Sequence, residues 1–179
     1  MTKQITINVF SAASVTRAIK ELRDYKKDLD VKTERFVERL RQIGINAAVM
    51  YFSKASYAGE PDVLVEDTPT KGAGHKYTAR VRATGDTVLF IEFGTGIYHE
   101  NAHQLEYGYY PGSYGPKALQ PWGWFYSGTP GPHPPSGTEM ARGHPRSVHT
   151  YGNPANMPMY NTRRQILTLF KSIAEEVFG

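Results

Sequence analysis

Between residues 98 and 157 the chain carries nine of its twelve prolines, nine of its seventeen glycines and ten aromatic residues. Proline fixes φ and removes a backbone donor, so no single helix or regular sheet can run through such a stretch. Loops of this length are usually functional or disordered. Disordered segments are poor in aromatic residues, yet Trp122, Trp124, Phe125 and Tyr126 stand in a row broken only by Gly123. The stretch therefore reads as an extended arm that packs on something, either its own core or a neighbouring chain. The regular elements must lie on either side of it, in a single domain spanning residues 1–179 with 98–157 as an arm or insertion.

A chain of 179 residues buries enough surface on folding to need no staple. It has no cysteine, which removes disulfides, thiolate-zinc sites and thiol nucleophiles and suits a reducing cytoplasm. Its first residues alternate polar and apolar side chains, unlike the continuous apolar core of a signal peptide. No run approaches the length of a membrane span. The net charge of +4 is mild and spread out, so a weak preference for polyanions is allowed but not indicated.

Residues 4–10 alternate cleanly and predict a half-buried strand. Ser14 is placed to cap a short helix carrying Val15, Ile19, Leu22 and Tyr25. The charged stretch Lys26–Asp30 suggests a break. A longer helix follows, with Leu29, Phe36, Val37, Leu40, Ile43, Ala47, Tyr51 and Ala55 on one stripe, ended by Gly59 and Pro61. Val63 and Val65 open a strand, and residues 76–84 alternate as a second. Lys76, Arg80 and Arg82 share a face of it, solvent-facing, polyanion-facing or paired with acids of a neighbouring subunit. Gly85-Asp86 suits a two-residue hairpin turn. It leads into a third strand, Thr87–Phe93, apolar on both faces except Glu92 and therefore central. A buried carboxylate requires a partner, either backbone N–H groups of the Gly94-Thr95-Gly96 turn or an arginine. A helix from about Met159 to Val177, entered through Pro158, closes the chain.

The sharpest enzymatic pattern is His99-Glu100-Asn101-Ala102-His103, which matches H-E-x-x-H. On a helix such histidines share one zinc while the glutamate activates water. The context is poor. The motif follows directly on a glycine-rich turn, the available helix ends by Gly108, and His133, His144 and His149 lie in the arm without a rigid supporting shell. The pattern reads as a chance match; catalytic residues, metal and cofactor are expected to be absent. There is no nucleophile elbow, phosphate loop or dinucleotide fingerprint. Aromatic residues near Arg142 and Arg146 could stack nucleic-acid bases, but they outnumber the local basic residues. Tyr, Trp and Phe with Pro are good low-entropy contact residues.

Three phrases together resemble a known family. They are Glu92-Phe93-Gly94-Thr95-Gly96, then Gly123-Trp124-Phe125-Tyr126, then Gly152-Asn153-Pro154-Ala155-Asn156-Met157-Pro158-Met159-Tyr160-Asn161-Thr162-Arg163. In order and spacing, over roughly residues 14–178, the chain resembles the neck (head–tail joining, tail-completion) minor tail components of siphovirus-type phages and prophages. Met157-Pro158-Met159 departs from the Pro-Phe followed by an apolar residue that relatives often carry.

The resemblance implies an α+β fold: a small, mainly antiparallel four-stranded sheet packed by a long N-terminal helix and a C-terminal helix, with the arm inserted before the last helix. It implies a structural role without catalysis at the head–tail junction of a virion assembled in the bacterial cytoplasm. The expected partners are other copies in a ring of about six or twelve, connector and tail proteins, and DNA in the channel, but no membrane. Glu92, Phe93, Gly94, Thr95, Gly96, Trp122, Trp124, Phe125 and Tyr126 are the expected subunit contacts. A zinc peptidase using His99, Glu100 and His103, or a nucleic-acid-binding module, are the alternatives.

Overall fold

A computed structural model describes residues 4–71, 76–96, 122–143 and 146–179. The class is α+β: a long N-terminal helix and a C-terminal helix with small antiparallel sheets. The elements are α1 (Ala12–Ser53), β1 (Leu64–Lys71), β2 (Tyr77–Thr84), α2 (Val88–Phe93), β3 (Thr95–Gly96), β4 (Trp124–Ser127), β5 (Glu139–Met140), β6 (Ser147–Thr150), β7 (Gly152–Asn153) and α3 (Pro158–Phe178). The strands are distributed over a β1-β2 pair, a β3-β7 pair and a β4-β6-β5 sheet, rather than one four-stranded sheet. Among the described residues no helix is long and apolar enough to cross a membrane.

The expected strand over residues 4–10 does not form. No described residue pairs with it, and a strand without a ladder leaves its backbone unsatisfied. Local polar groups take over instead. Asn8 Oδ1 accepts the Phe10 amide at 3.1 Å, a turn that mimics backbone. Ser11, not Ser14, caps α1: its Oγ accepts the Ser14 amide at 3.3 Å and its carbonyl accepts Val15 at 3.1 Å. Ser14 Oγ accepts the Asn8 amide at 2.9 Å.

The break expected at Lys26–Asp30 is absent, and α1 runs unbroken for 42 residues. Lysine is a good helix former, no Gly or Pro lies within Lys26–Asp30, and Asp28 pairs with Lys32 one turn on at 3.5 Å. The helix ends at Ser53, well before Gly59. The amides that follow are claimed from elsewhere, Ser56 by Asn156 Oδ1 (2.8 Å) and Ala58 by Asn153 Oδ1 (2.6 Å).

The chain divides into two bodies. The first comprises the described residues through Ile43, 67–80 and 166–179. Here Phe36 meets Phe170 edge-on at 5.1 Å and Phe178 at 5.5 Å. Arg39 bonds both carboxylate oxygens of Glu176 at 3.1 Å, and Arg41 pairs with Glu38 and Asp67. The Arg39–Glu176 pair is exposed and worth at most about 1 kcal/mol. The aromatic contacts add about 0.5–1.5 kcal/mol each beyond the area they bury, so the rings dominate.

The second body comprises residues 44–66 and 81–165 as far as they are described. Its core is Phe52, Ala55, Val88 and Ile91, with Tyr57, Val63, Val65, Ala83 and Met159 against it. The hairpin turn at Gly85-Asp86 and the third strand are both corrected: Val88–Phe93 is helix α2. Val88, Ile91 and Glu92 are buried while Leu89 is 47% exposed, the spacing of a helix face. What decides it is Asp62, whose carboxylate accepts the amides of Asp86 at 2.7 Å and Thr87 at 2.9 Å, and the Thr87 hydroxyl. These bonds hold the Asp62 carboxyl below its ordinary value and satisfy donors at the helix start.

The segment 98–157 is described only in part. Its described part holds the β4-β6-β5 sheet, with Trp124 opposite Thr150, Phe125 opposite His149 and Glu139 opposite His149. It packs on its own body. The Tyr126 hydroxyl and the Gly131 amide (2.8 Å) both donate to the Ala58 carbonyl, and the Tyr57 amide donates to the His133 carbonyl at 3.0 Å.

Candidate functional site

Glu92 lies on the last turn of α2 and is 7% exposed. Its partners are neither the turn amides nor an arginine. One carboxylate oxygen accepts the Met159 amide at 2.8 Å and the other the Tyr160 amide at 3.0 Å. These are first-turn donors of α3, where unsatisfied N–H groups and the helix dipole both favour an anion. The Glu92 carbonyl also accepts the Met157 amide at 3.2 Å. Burial pushes the carboxyl above its ordinary value, against the opposing pull of the two amides.

Gly94 terminates α2 with φ +72°. A Cβ there would lie 2.7 Å from both the Ala155 nitrogen and the Asn153 oxygen, so only glycine permits this approach. Beyond it, β3 pairs antiparallel with β7, Thr95 opposite Asn153 and Gly96 opposite Gly152. The Thr95 hydroxyl accepts both the backbone amide (3.3 Å) and the side-chain amide (3.1 Å) of Asn153. The Glu92–Gly96 phrase and the Gly152–Tyr160 phrase, far apart in sequence, are thus one structural unit.

Three residues that complete this unit, Asp62, Asn153 and Asn156, were not singled out as site residues from the sequence. The signal for the asparagines was present: Asn-Pro-Ala-Asn places two side-chain amides, the groups best able to substitute for backbone partners, just before a helix.

The aromatic row divides by strand alternation. Trp124 and Tyr126 are half-buried, and burial beside Tyr57 raises the Tyr126 hydroxyl to about 12. Trp122 and Phe125 are 69% and 58% exposed. The Phe125 ring lies 4.9 Å from His149, which meets Tyr151 edge-on at 4.8 Å. His149 Nε2 is 3.0 Å from the Trp122 carbonyl oxygen and donates to it. Phe125, His149, Glu139, Ala141 and Arg142 line an open cleft of about 340 Å³. An exposed aromatic surface with a few charges at its margin has the composition of a contact surface.

Lys76, Arg80 and Arg82 are exposed, the arginines at alternate positions of β2. Phe93 is partly buried beside Glu92. His99, Glu100 and His103 lie outside the described residues. Among the described residues no group of three His, Cys, Asp or Glu could hold a metal ion.

No family model, no curated protein and no solved structure matches this chain.

Proposed function

We propose that this protein is a structural component of a phage head–tail junction, acting by ring-like self-assembly and by contact with connector and tail proteins, without catalysis. What supports the reading is the union of its two longest resemblance phrases. Glu92 caps the helix that Pro158 opens, and β3 pairs with β7 between them. A likeness in both phrases is therefore a likeness in one packed element rather than two short coincidences. The exposed Trp122 and Phe125 supply a contact surface, and Lys76, Arg80 and Arg82 are the residues that would face DNA in the channel.

The test is location and assembly. Mass spectrometry of purified particles should find the protein in the virion, and the isolated protein should form rings at high concentration in electron micrographs. A protein that stays monomeric at every concentration and is absent from particles would overturn the reading.

A further inference from the structure

The β4-β6-β5 sheet brings one row of side chains to a single face. Phe125 on β4 stands opposite His149 on β6, and His149 stands opposite Glu139 on β5. Residues directly opposite each other on paired strands point to the same side of a sheet. The row crosses two strand spacings, about 10 Å. With Ala141 and Arg142 it lines the open cleft of about 340 Å³.

The floor of this cleft is held by its own contacts. The Phe125 and His149 rings lie 4.9 Å apart, and Tyr151 meets the imidazole edge-on at 4.8 Å. The bond from His149 Nε2 to the Trp122 carbonyl oxygen, 3.0 Å, fixes the ring. Phe125 is nonetheless 58% exposed. A ring that is already packed and still open to solvent loses little freedom when a ligand lies on it. Glu139 and Arg142 are exposed. The first is an acceptor only and the second a donor only.

This lining selects by chemistry. A polyanion or a polycation gains at one of the two charges and loses at the other. A wholly apolar ligand strands both. A neutral sugar suits every part. Its C–H face lies on an aromatic ring, and its hydroxyl groups can donate to a carboxylate and accept from a guanidinium. The row is longer than one pyranose ring, and the open cleft leaves further units in solvent. Cleavage is not implied, because glycoside hydrolysis takes a pair of carboxylates and Glu139 is the one carboxylate in the lining.

We propose that Phe125, Glu139 and Arg142 bind a neutral oligosaccharide, spanning more than one sugar unit, without cleaving it. The cleft belongs to the single chain, so the proposal does not rest on ring assembly or on location in a virion.

The test is titration of the full-length, isotope-labelled protein with maltose, cellobiose, lactose and N,N′-diacetylchitobiose, followed by nuclear magnetic resonance. At least one of these sugars is expected to give saturable shifts confined to β4, β5, β6 and their neighbours, with a Kd on the order of 1 mM. Phe125→Trp keeps a flat face and should bind within about threefold of the parent. Phe125→Leu keeps an apolar group but no flat face, and Arg142→Ala removes the donor. Each should bind about tenfold more weakly or worse. Circular dichroism should show all three folded, since both positions are exposed. Absence of a saturable shift with every sugar at about 50 mM would overturn the proposal. So would binding that Phe125→Leu leaves unchanged, or tighter binding of adenosine monophosphate than of any of the sugars.

Discussion

Asn156 and Ser56 stand 100 positions apart and bond twice: Asn156 Oδ1 accepts the Ser56 amide and Asn156 Nδ2 donates to the Ser56 carbonyl, both at 2.8 Å. One side-chain amide thus does for Ser56 what a neighbouring strand would do. Nδ2 also donates to the Pro154 carbonyl at 2.9 Å. Asn156→Asp would turn a donor facing these carbonyls into a second acceptor. At neutral pH it is expected to cost about 3 kcal/mol or more, exceeding Asn156→Ala, because a charge facing carbonyl oxygens is worse than a missing group. Denaturant unfolding of both variants measures the order.

Glu92 gives a pH dependence of defined sign. Its folded carboxyl lies above the ordinary value because burial outweighs the two amide donors. A carboxyl raised on folding holds its proton more tightly in the folded state. Its contribution is therefore greatest below the unfolded value of about 4.3 and declines as pH rises through the folded value. Glu92→Gln cannot titrate, so the parent's unfolding free energy minus the variant's should fall across that window and be flat on either side. A difference that rises with pH would show the amide donors winning over burial. At any pH in the window Glu92→Ala, which abandons both amides, should be less stable than Glu92→Gln by about 1 kcal/mol or more.

Leu89 and Ile91 distinguish a helix from a strand at the same residues. On a strand they would share a face. In the structure Ile91 is fully buried and Leu89 is 47% exposed. Ile91→Ala is expected to cost about 2–5 kcal/mol, in the range of buried large-to-small changes, and Leu89→Ala about 0.5 kcal/mol or less. Similar losses in thermal or denaturant unfolding would contradict helix α2.

Gly94 and Gly143 have nearly the same positive φ, +72° and +76°, but a Cβ at Gly143 would meet nothing within 4 Å. Gly143→Ala should therefore cost only the conformational penalty of about 1–2 kcal/mol. Gly94→Ala adds a collision with backbone atoms that cannot rotate away, and its loss should be clearly the larger. Equal losses by calorimetry would show that the Ala155 and Asn153 backbone can yield.

Several elements were legible in the sequence because their determinants are local. The alternation of residues 76–84 gives β2, and the apolar spacing after Pro158 gives α3, to within one residue at each end. A six-residue run that is apolar but for Glu92 fits a strand or a buried helical turn equally well. The tie at Val88–Phe93 is broken by Asp62, 25 positions upstream of Thr87, which no local pattern contains. The strands β4 to β7 are two to four residues long and exist only through long-range pairing, so the composition that argued against regular structure concealed them. Of the candidate site, the need of Glu92 for a partner was legible. The partner was not, because it lies 67 and 68 residues further on. The exposure of Trp122 and Phe125 against the half-burial of Trp124 and Tyr126 became readable only once β4 was known to be a strand.

The two rungs between β3 and β7 have an evolutionary consequence. Gly96 and Gly152 are direct partners, so the two ends of the segment between them are held side by side. Closure entropy grows only logarithmically, about 0.6 kcal/mol for each doubling of the enclosed length. A change of length between Gly96 and Gly152 therefore costs little, so long as both rungs still form.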